Sequence, residues 1–502
     1  MNFYMGIDIG TYESKGLLVD QSGRIIAAAS REHEMEIPAP GYAEHDADSA
    51  WWGDFCAISN ELIHAAGADP ANIRGVGCSG IGTCCLPVDE QIRPLRKAIL
   101  YGVDVRASKQ IDELNRELGE DLILGKYGCP VTSQSPAPKI LWLKENEPDV
   151  YRKTAKYITS STYLVAKLTG RYAIDQYTAA NCPPMYDPAA GDWDRADIGR
   201  ICRADQLADC MWTDKVAGGV TARAARETGL REGTPVTTGT ADASADAVAA
   251  GVLDPGDMLI MFGSSVFIIH VTPVRTTDRR YWSGPYLFKD TWAVTSGMST
   301  AGSLTRWFRN ELARELLEAQ HSGRGNAYER LAESIAGIPP GAEGLIALPY
   351  FSGERTPIND PHAKGMFFGL TLRHTRAHMY QACLESVAYG IKQHLDGYAG
   401  IGMHTKRIVA VGGGTKNRKW MQIVADATGR ELRLGGVYGA AYGDALLAAL
   451  ATGGISGINE LRAMLRFGER VAPDMNNHGI YAKYAALYTE LYETNKNLMR
   501  KL

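Results

Sequence analysis

The sequence predicts an α/β protein of two domains facing each other across a cleft, and two observations predict it. Two strand–turn–strand units of one shape lie far apart. The first is Tyr4-Met5-Gly6-Ile7-Asp8-Ile9-Gly10-Thr11 running into Ser14–Asp20, and the second is 258–269, turned at Gly263-Ser264-Ser265. Each half also ends a strand on small residues: Arg74-Gly75-Val76-Gly77-Cys78-Ser79-Gly80 in one, Arg407-Ile408-Val409-Ala410-Val411 running into Gly412-Gly413-Gly414 in the other. The spacing differs between the halves, so this is a structural echo and not a sequence repeat.

Taken in order, the opening hairpin is followed by helical apolar spacing from Ala50 to Ala66, with Asp48 or Ser49 as cap. A short strand over 73–78 stops at Ser79-Gly80, and another at 99–101 ends near Asp104 and Arg106. A helix over 107–118 comes next, then a helical stretch beginning at 139–144 and ended by Pro148. Residues 181–195, rich in Pro, Gly and Asp, read as a loop. Val236–Asp242 is a strand ending in a small-residue turn, and an alanine-rich helix runs from Ala243 to Gly251. The domain boundary falls near 236–246, giving domains of 1–243 and 244–502. Beyond the triple glycine a helix spans 420–428, and Gly439-Ala440-Ala441 opens another, suited to close packing or to walling a nucleotide site.

With 502 residues, 45% apolar and 22% charged, the chain has the length and balance for two or three domains with large cores. A net charge of −4 and the lack of basic runs give no reason to expect nucleic acid. The nine cysteines show no C-x-x-C and read as free thiols of a reducing, cytoplasmic compartment. The N-terminal apolar stretch contains Asp8 and lacks a basic flank, so it does not read as a signal peptide. The apolar run at 258–271 is too short for a bilayer, so no membrane partner is expected.

Three motifs are set aside. Gly75-x-Gly77-x-x-Gly80 lies inside a strand instead of opening a helix, against a dinucleotide site. Gly77-Cys78-Ser79-Gly80-Ile81 lacks the last glycine of a nucleophile elbow. No G-x-x-x-x-G-K-[ST] and no H-E-x-x-H occurs.

The two hairpins read either as ordinary β-hairpins or as phosphate cradles. Gly-plus-hydroxyl turns present N–H and O–H donors to phosphate oxygens. Asp8 stands at a strand end, where a phosphate-bound Mg²⁺ would want a carboxylate. Asp242, in Gly239-Thr240-Ala241-Asp242, is either a helix N-cap or a base that takes a substrate hydroxyl's proton. Gly412, Gly413 and Gly414, followed by Lys416 and Asn417, would let a base or phosphate lie on the backbone.

With these residues the chain resembles the FGGY family of carbohydrate kinases, in the actin- and hexokinase-like ATPase superfamily. The resemblance runs through Gly6–Thr11, Pro40–Asp46 with Trp51-Trp52, and Pro136–Asn146, where Gln134 departs from the first signature. It continues through Gly365–Leu370 to Leu384-Glu385, with Cys383 a departure, and through the triple glycine, Trp420, Gln422, Ala425-Asp426 and Gly439–Ala441. It implies two ribonuclease H-like domains about a nucleotide-binding cleft, with the sugar on the N-terminal side and adenosine on the C-terminal side. It further implies ATP and Mg²⁺ as cofactors, Asp242 as general base, and Asp8 with Asp242 as metal ligands. Gly10, Thr11, Gly263 and Ser264 would hold phosphates, Gly413-Gly414 the adenosine, and Lys15 either phosphate or solvent.

Departures bear on the substrate. Where xylulose kinases of the family read Gln-Met-His after Ser-Gly, this chain has Ile81-Gly82-Thr83, and the Arg-Glu pair of glycerol kinases is missing. Gly82 and Thr83 would line a roomier sugar pocket. Asp104 and Arg106 match the family's Asp-x-Arg and are either sugar contacts or an internal ion pair. Gly435-Gly436-Val437-Tyr438 stands where the family carries a glutamate. A small sugar, polyol or sugar acid is the implied substrate, with a pentulose as the family's frequent choice, and a homodimer accords with similar kinases. An actin- or chaperone-like ATPase and a sugar-sensing pseudokinase are the alternatives.

Overall fold

The computed structural model describes residues 1–436, 439–465 and 467–502. Contacts divide the chain into two compact units. One comprises Met1–Leu253, Pro273–Ala293 and Val437–Arg466; the other comprises Asp254–Thr272, Val294–Gly436 and Phe467–Leu502. The units thus interleave along the chain, where the sequence suggests a single boundary at 243/244.

In the first unit, β1 (Phe3–Ile9), β2 (Glu13–Asp20), β3 (Ile25–Glu32), β4 (Ile73–Gly80), β5 (Val216–Gly219), β6 (Pro235–Thr237) and β7 (Thr240–Ala241) form a sheet in the order β5-β6-β4-β1-β2-β3, with β7 also on β4. β1 pairs antiparallel with β2 and parallel with β4, which is parallel to β6 and β7. Met5, Ile7, Ile9 and Val76 are fully buried, as a central strand with both faces covered requires. The helix Gly439–Ala451 lies directly on this sheet. A Cβ at Gly6 would fall 1.9 Å from the Ala441 carbonyl oxygen, and one at Gly77 2.1 Å from that of Asp444. These glycines are therefore packing devices, and close packing is what the small-residue helix after Gly439 provides.

Helix Asp54–Ala66 forms where apolar spacing predicts it, behind a wider turn at Ala47–Gly53 whose first N–H groups are capped by Asp46 and not by Asp48 or Ser49. Gly67, at φ 56°, ends it. The helix expected from 139 begins at Pro136, a residue that costs nothing in a first turn. Residues 181–195 carry a small antiparallel pair, Tyr186–Asp187 with Asp192–Trp193.

The second unit repeats the plan. β8 (Asp257–Phe262), β9 (Val266–Thr272), β10 (Trp292–Met298), β11 (Arg407–Val411), β12 (Leu432–Leu434) and β13 (Arg470–Val471) run in the order β10-β9-β8-β11-β12-β13. Here β8 is antiparallel to β9 and parallel to β11. The hairpin, a third strand beside it and the parallel strand on the hairpin's other side therefore recur in both units. No helix among the described residues is long and apolar enough to cross a membrane.

Candidate active site

Three neighbouring strands of the first unit bring its carboxylates together. In register, Ser79 of β4 faces Asp8 of β1 on one side and Thr240 of β7 on the other, so Asp8, Ser79 and the start of the Asp242–Ala249 helix share one end of the sheet. This is the carboxyl end of the parallel strands, where open α/β sheets hold ligands.

Asp242 is the first residue of its helix, after an Ala241 that makes no side-chain cap, and its Oδ1 accepts from the next residue's N–H, Ala243, at 2.8 Å. The N-cap reading is thereby excluded, and the side chain remains half-buried at the strand end. Burial, and then the charge of Asp8, push its carboxyl up to about 7. Asp8 is raised to about 6 by burial, opposed by the Ser79 hydroxyl and by Lys15. The exposed Lys15 pairs with Glu13 at 2.9 Å.

Two further carboxylates belong to this group and escape a reading of motifs. Asp246, one helical turn beyond Asp242, is raised to about 8 by burial and by the charges of Asp8 and Asp242. Its i, i+4 spacing on an alanine-rich helix is the signal that could have found it. Asp444 is buried with its Oδ2 2.6 Å from Ser79 Oγ, and its carboxyl is pushed far up by burial and by Asp8. Nothing local marks it.

Carboxylates that hold one another near protonation are a donor set that suits a hard divalent cation. Among the described residues no three His, Cys, Asp or Glu side chains converge as a metal cage. Asp8 and Asp242 are the carboxylates here that could ligate Mg²⁺, an ion that takes one or two carboxylates and leaves phosphate and water to fill its shell.

The Gly10–Thr11 turn is closed by the Gly10 N–H donating to the Glu13 carbonyl at 3.1 Å. Of the sugar-side candidates, Gly82 lies under Tyr101, whose ring carbon a Cβ would approach to 3.2 Å. The Thr83 hydroxyl is spent on the Gln134 carbonyl at 2.5 Å. Asp104 and Arg106 pair with each other at 2.7 Å, their side chains 0% and 1% exposed. Arg106 also reaches Glu44 at 2.8 Å and covers the Tyr42 ring at 4.0 Å, while Asp104 accepts from the Ala43 N–H.

In the second unit the turn at Gly263 and Ser264 is exposed and rigidly held. The Ala301 and Ser303 N–H groups donate to the Ser264 carbonyl, and the Gly302 N–H to that of Gly263. The three glycines after β11 do different things. Gly412, at φ 93°, needs a residue without a Cβ, and Gly414 is pressed against Phe262 and Trp420. Gly413 meets nothing within 4 Å and is left open. The Asn417 side chain caps the helix Arg418–Thr428 by accepting from the Trp420 N–H. Val437 and Tyr438, in the stretch that lacks the family's glutamate, lie outside the described residues.

Two sheets of this order, each with a Gly-hydroxyl hairpin and one with a carboxylate cluster at its strand ends, define an actin/hexokinase-like α/β protein. Comparison with known proteins narrows the class. The N-terminal-domain model of the FGGY family of carbohydrate kinases matches residues 3–249, and the C-terminal-domain model matches 258–452. The crystal structure of a xylulose kinase from Rhodospirillum rubrum superposes with a TM-score of 0.92 at 33% identity, over 99% of this chain and 100% of that one. A xylulose kinase from Staphylococcus epidermidis is 29% identical over 505 residues, 99% of this chain and 98% of the relative. A gluconokinase from Bacillus licheniformis is 25% identical over 506 residues, 99% and 96% of the two chains. The chain belongs to the FGGY family of carbohydrate kinases. It is a phosphotransferase that phosphorylates a carbohydrate at the expense of ATP.

Proposed function

We propose that the chain transfers the γ-phosphoryl group of Mg-ATP to a hydroxyl of a ketose of pentulose type, with Asp242 as general base. The observation that carries this is the placement of Asp8, Ser79 and Asp242 at one strand end, with Asp242 released from capping. In phosphoryl transfer the attacking hydroxyl must lose a proton as it meets phosphorus, and a carboxyl poised near neutrality suits that role. Asp8 and Asp242 would hold Mg²⁺, which would supply charge neutralisation for the phosphates. Gly10 and Thr11, and likewise Gly263 and Ser264, donate to phosphate oxygens. Gly412, Gly413 and Gly414 present backbone to the adenosine, Asn417 shapes that turn through its cap, and Lys15 adds charge near the phosphates. The sugar lies on the side of residues 1–243 and the adenosine on that of 244–502; the protein is cytoplasmic and a homodimer.

The pentulose rests on the xylulose kinases among the relatives, and the gluconokinase relative supports a sugar acid as the second reading. Gly82 with the Thr83 hydroxyl already engaged leaves shape, more than side-chain hydrogen bonds, to select the sugar at this point. Of the two roles open to Asp104 and Arg106, the internal brace is the one their mutual pairing favours over direct sugar contact.

A coupled ADP-release assay with Mg-ATP over pentuloses, hexuloses, polyols and aldonic acids tests the reading, with Asp242→Asn alongside. One sugar should turn over well, and the variant should lose about 10²–10⁴-fold in kcat while still binding ATP. Wild-type turnover in the variant would remove Asp242 as base. ADP release indifferent to sugar would favour an ATPase, and no release at all a sensor.

A further inference from the structure

Neither Gly82 nor Thr83 offers a sugar a free side-chain donor, since one has no side chain and the Thr83 hydroxyl is engaged with the Gln134 carbonyl. A different segment of the first unit supplies one. The short helix Gln176–Ala179 is fastened by Asp175 to the strand that carries the base. Asp175 Oδ1 caps the helix, accepting from the Thr178 N–H at 3.2 Å, and its Oδ2 accepts from the Thr240 hydroxyl at 2.7 Å, two residues ahead of Asp242. The helix packs on β7, which ends where Asp242 begins. Past the other end of the helix, the Asn181 amide donates to the Tyr177 carbonyl at 2.9 Å, and the Asn181 carbonyl lies 3.5 Å from the Thr83 hydroxyl. Tyr177 is thus carried on a segment tied to the Asp242 strand on one side and to Thr83 on the other.

The Tyr177 ring is held in place. Tyr286 stands edge-on to it at 6.1 Å, and the Tyr286 hydroxyl donates to the Val252 carbonyl at 2.6 Å. Only 6% of Tyr177 is exposed, yet its hydroxyl takes no hydrogen-bond partner among the described residues. A buried polar group left unpaired carries a desolvation cost, which a hydroxyl of a bound ligand offsets. Burial first, and then the charges of Asp242 and Asp175, hold the phenol far above its ordinary range, so it keeps its proton and remains a donor.

We infer that Tyr177 is a specificity-determining residue of the sugar site, its hydroxyl donating to a second hydroxyl of the carbohydrate whose reacting hydroxyl Asp242 deprotonates. Two fixed contacts on one flexible polyol orient it, which is what in-line transfer to a single hydroxyl requires. A site that hydrogen-bonds a substrate hydroxyl also rejects the analogue that lacks it, because the phenol is then left unpaired. The inference rests on the proposed role of Asp242 as general base.

The test is steady-state kinetics of the full-length protein with Mg-ATP, D-xylulose and the monodeoxy analogues of D-xylulose, comparing wild type with Tyr177→Phe. The substitution removes the hydroxyl and keeps the ring. It should lower kcat/KM for D-xylulose about tenfold, the scale of one hydrogen bond, mainly through KM. The melting temperature and calorimetric ADP binding should stay as in wild type. One deoxy analogue should cost the wild type the same factor and cost Tyr177→Phe nothing further, since the variant has already lost that contact. A merely structural role would instead add the same loss on every analogue. That pattern, or a wild-type kcat/KM in Tyr177→Phe, would overturn the inference. Asp242→Asn separates the two levels. If it loses turnover while Tyr177→Phe does not, the inference alone fails; if it keeps wild-type turnover, the base assignment fails and the inference with it. Wild-type protein that turns over no D-xylulose would overturn the inference together with the pentulose reading.

Discussion

Asp8 and Asp444 share one hydroxyl: Ser79 Oγ stands 2.8 Å from Asp8 Oδ1 and 2.6 Å from Asp444 Oδ2. A hydroxyl has a single proton to give, so two ionised carboxylates would leave one contact repulsive. Burial and the charge of Asp8 both push the Asp444 carboxyl up, which makes Asp444 the protonated partner and leaves Ser79 free to donate to Asp8.

Asp444→Asn should therefore be tolerated, its amide N–H replacing the acid O–H, with kcat within about threefold of wild type and an unchanged melting temperature. Asp444→Ala leaves the Ser79 oxygen without that partner and should cost about 1–3 kcal/mol, read by chemical denaturation. An Asn variant as damaged as the Ala one would mean that Asp444 is ionised.

The carboxylate group also predicts how stability changes with pH in the metal-free protein. Asp8, Asp242 and Asp246 are raised to about 6, 7 and 8 in the folded state, above the ordinary value near 4. A raised carboxyl stabilises the fold fully below its unfolded pKa, and that contribution is lost as pH rises through the folded pKa. The melting temperature should thus fall between about pH 5 and 8, and Mg²⁺ should recover part of it at the upper end by favouring the ionised forms. A flat curve, with Mg²⁺ without effect at both ends, would count against a carboxylate cluster built for a cation.

Local features of this protein were legible in the sequence. Both hairpins, the strand into Gly77 and the triple glycine are contiguous patterns, and Asp8 and Asp242 stand at strand ends that apolar runs reveal. The convergence was not legible. Ser79 and Asp444 meet across 365 positions, because a helix late in the chain returns to the first sheet where Gly6 and Gly77 let it lie on the backbone. Tyr177 depends in the same way on the contact of Asp175 with Thr240, across 65 positions, which no motif encodes. The cap at Asp46 and the early start at Pro136 were missed for a smaller reason: apolar spacing locates a helix's face better than its first residue.

Two glycines should respond in opposite ways to alanine. Gly77→Ala would put a methyl group 2.1 Å from the Asp444 carbonyl oxygen and should destabilise the first unit by about 3 kcal/mol or more. Gly413→Ala meets open space, so thermal stability should hold while nucleotide affinity, measured by calorimetry, falls. Unchanged affinity in Gly413→Ala would take that glycine out of the adenosine site.

Arg106 decides between the two roles open to the Asp-x-Arg pair. Its guanidinium is enclosed by Asp104, Glu44 and the Tyr42 ring, and these partners raise its pKa against the opposing effect of burial. Lysine reproduces neither the planar fork on Asp104 nor the stack on Tyr42. Arg106→Lys should therefore cost about 1–3 kcal/mol in stability, the range for leaving buried hydrogen-bonding groups unsatisfied while a charge is kept, and the folded fraction should keep its KM for the sugar. The reverse outcome, an intact melting temperature with a raised sugar KM, would make Arg106 a substrate contact. The two measurements separate a brace from a ligand because the residue, at 1% exposure, meets a sugar only if the Glu44 and Tyr42 side opens to admit one.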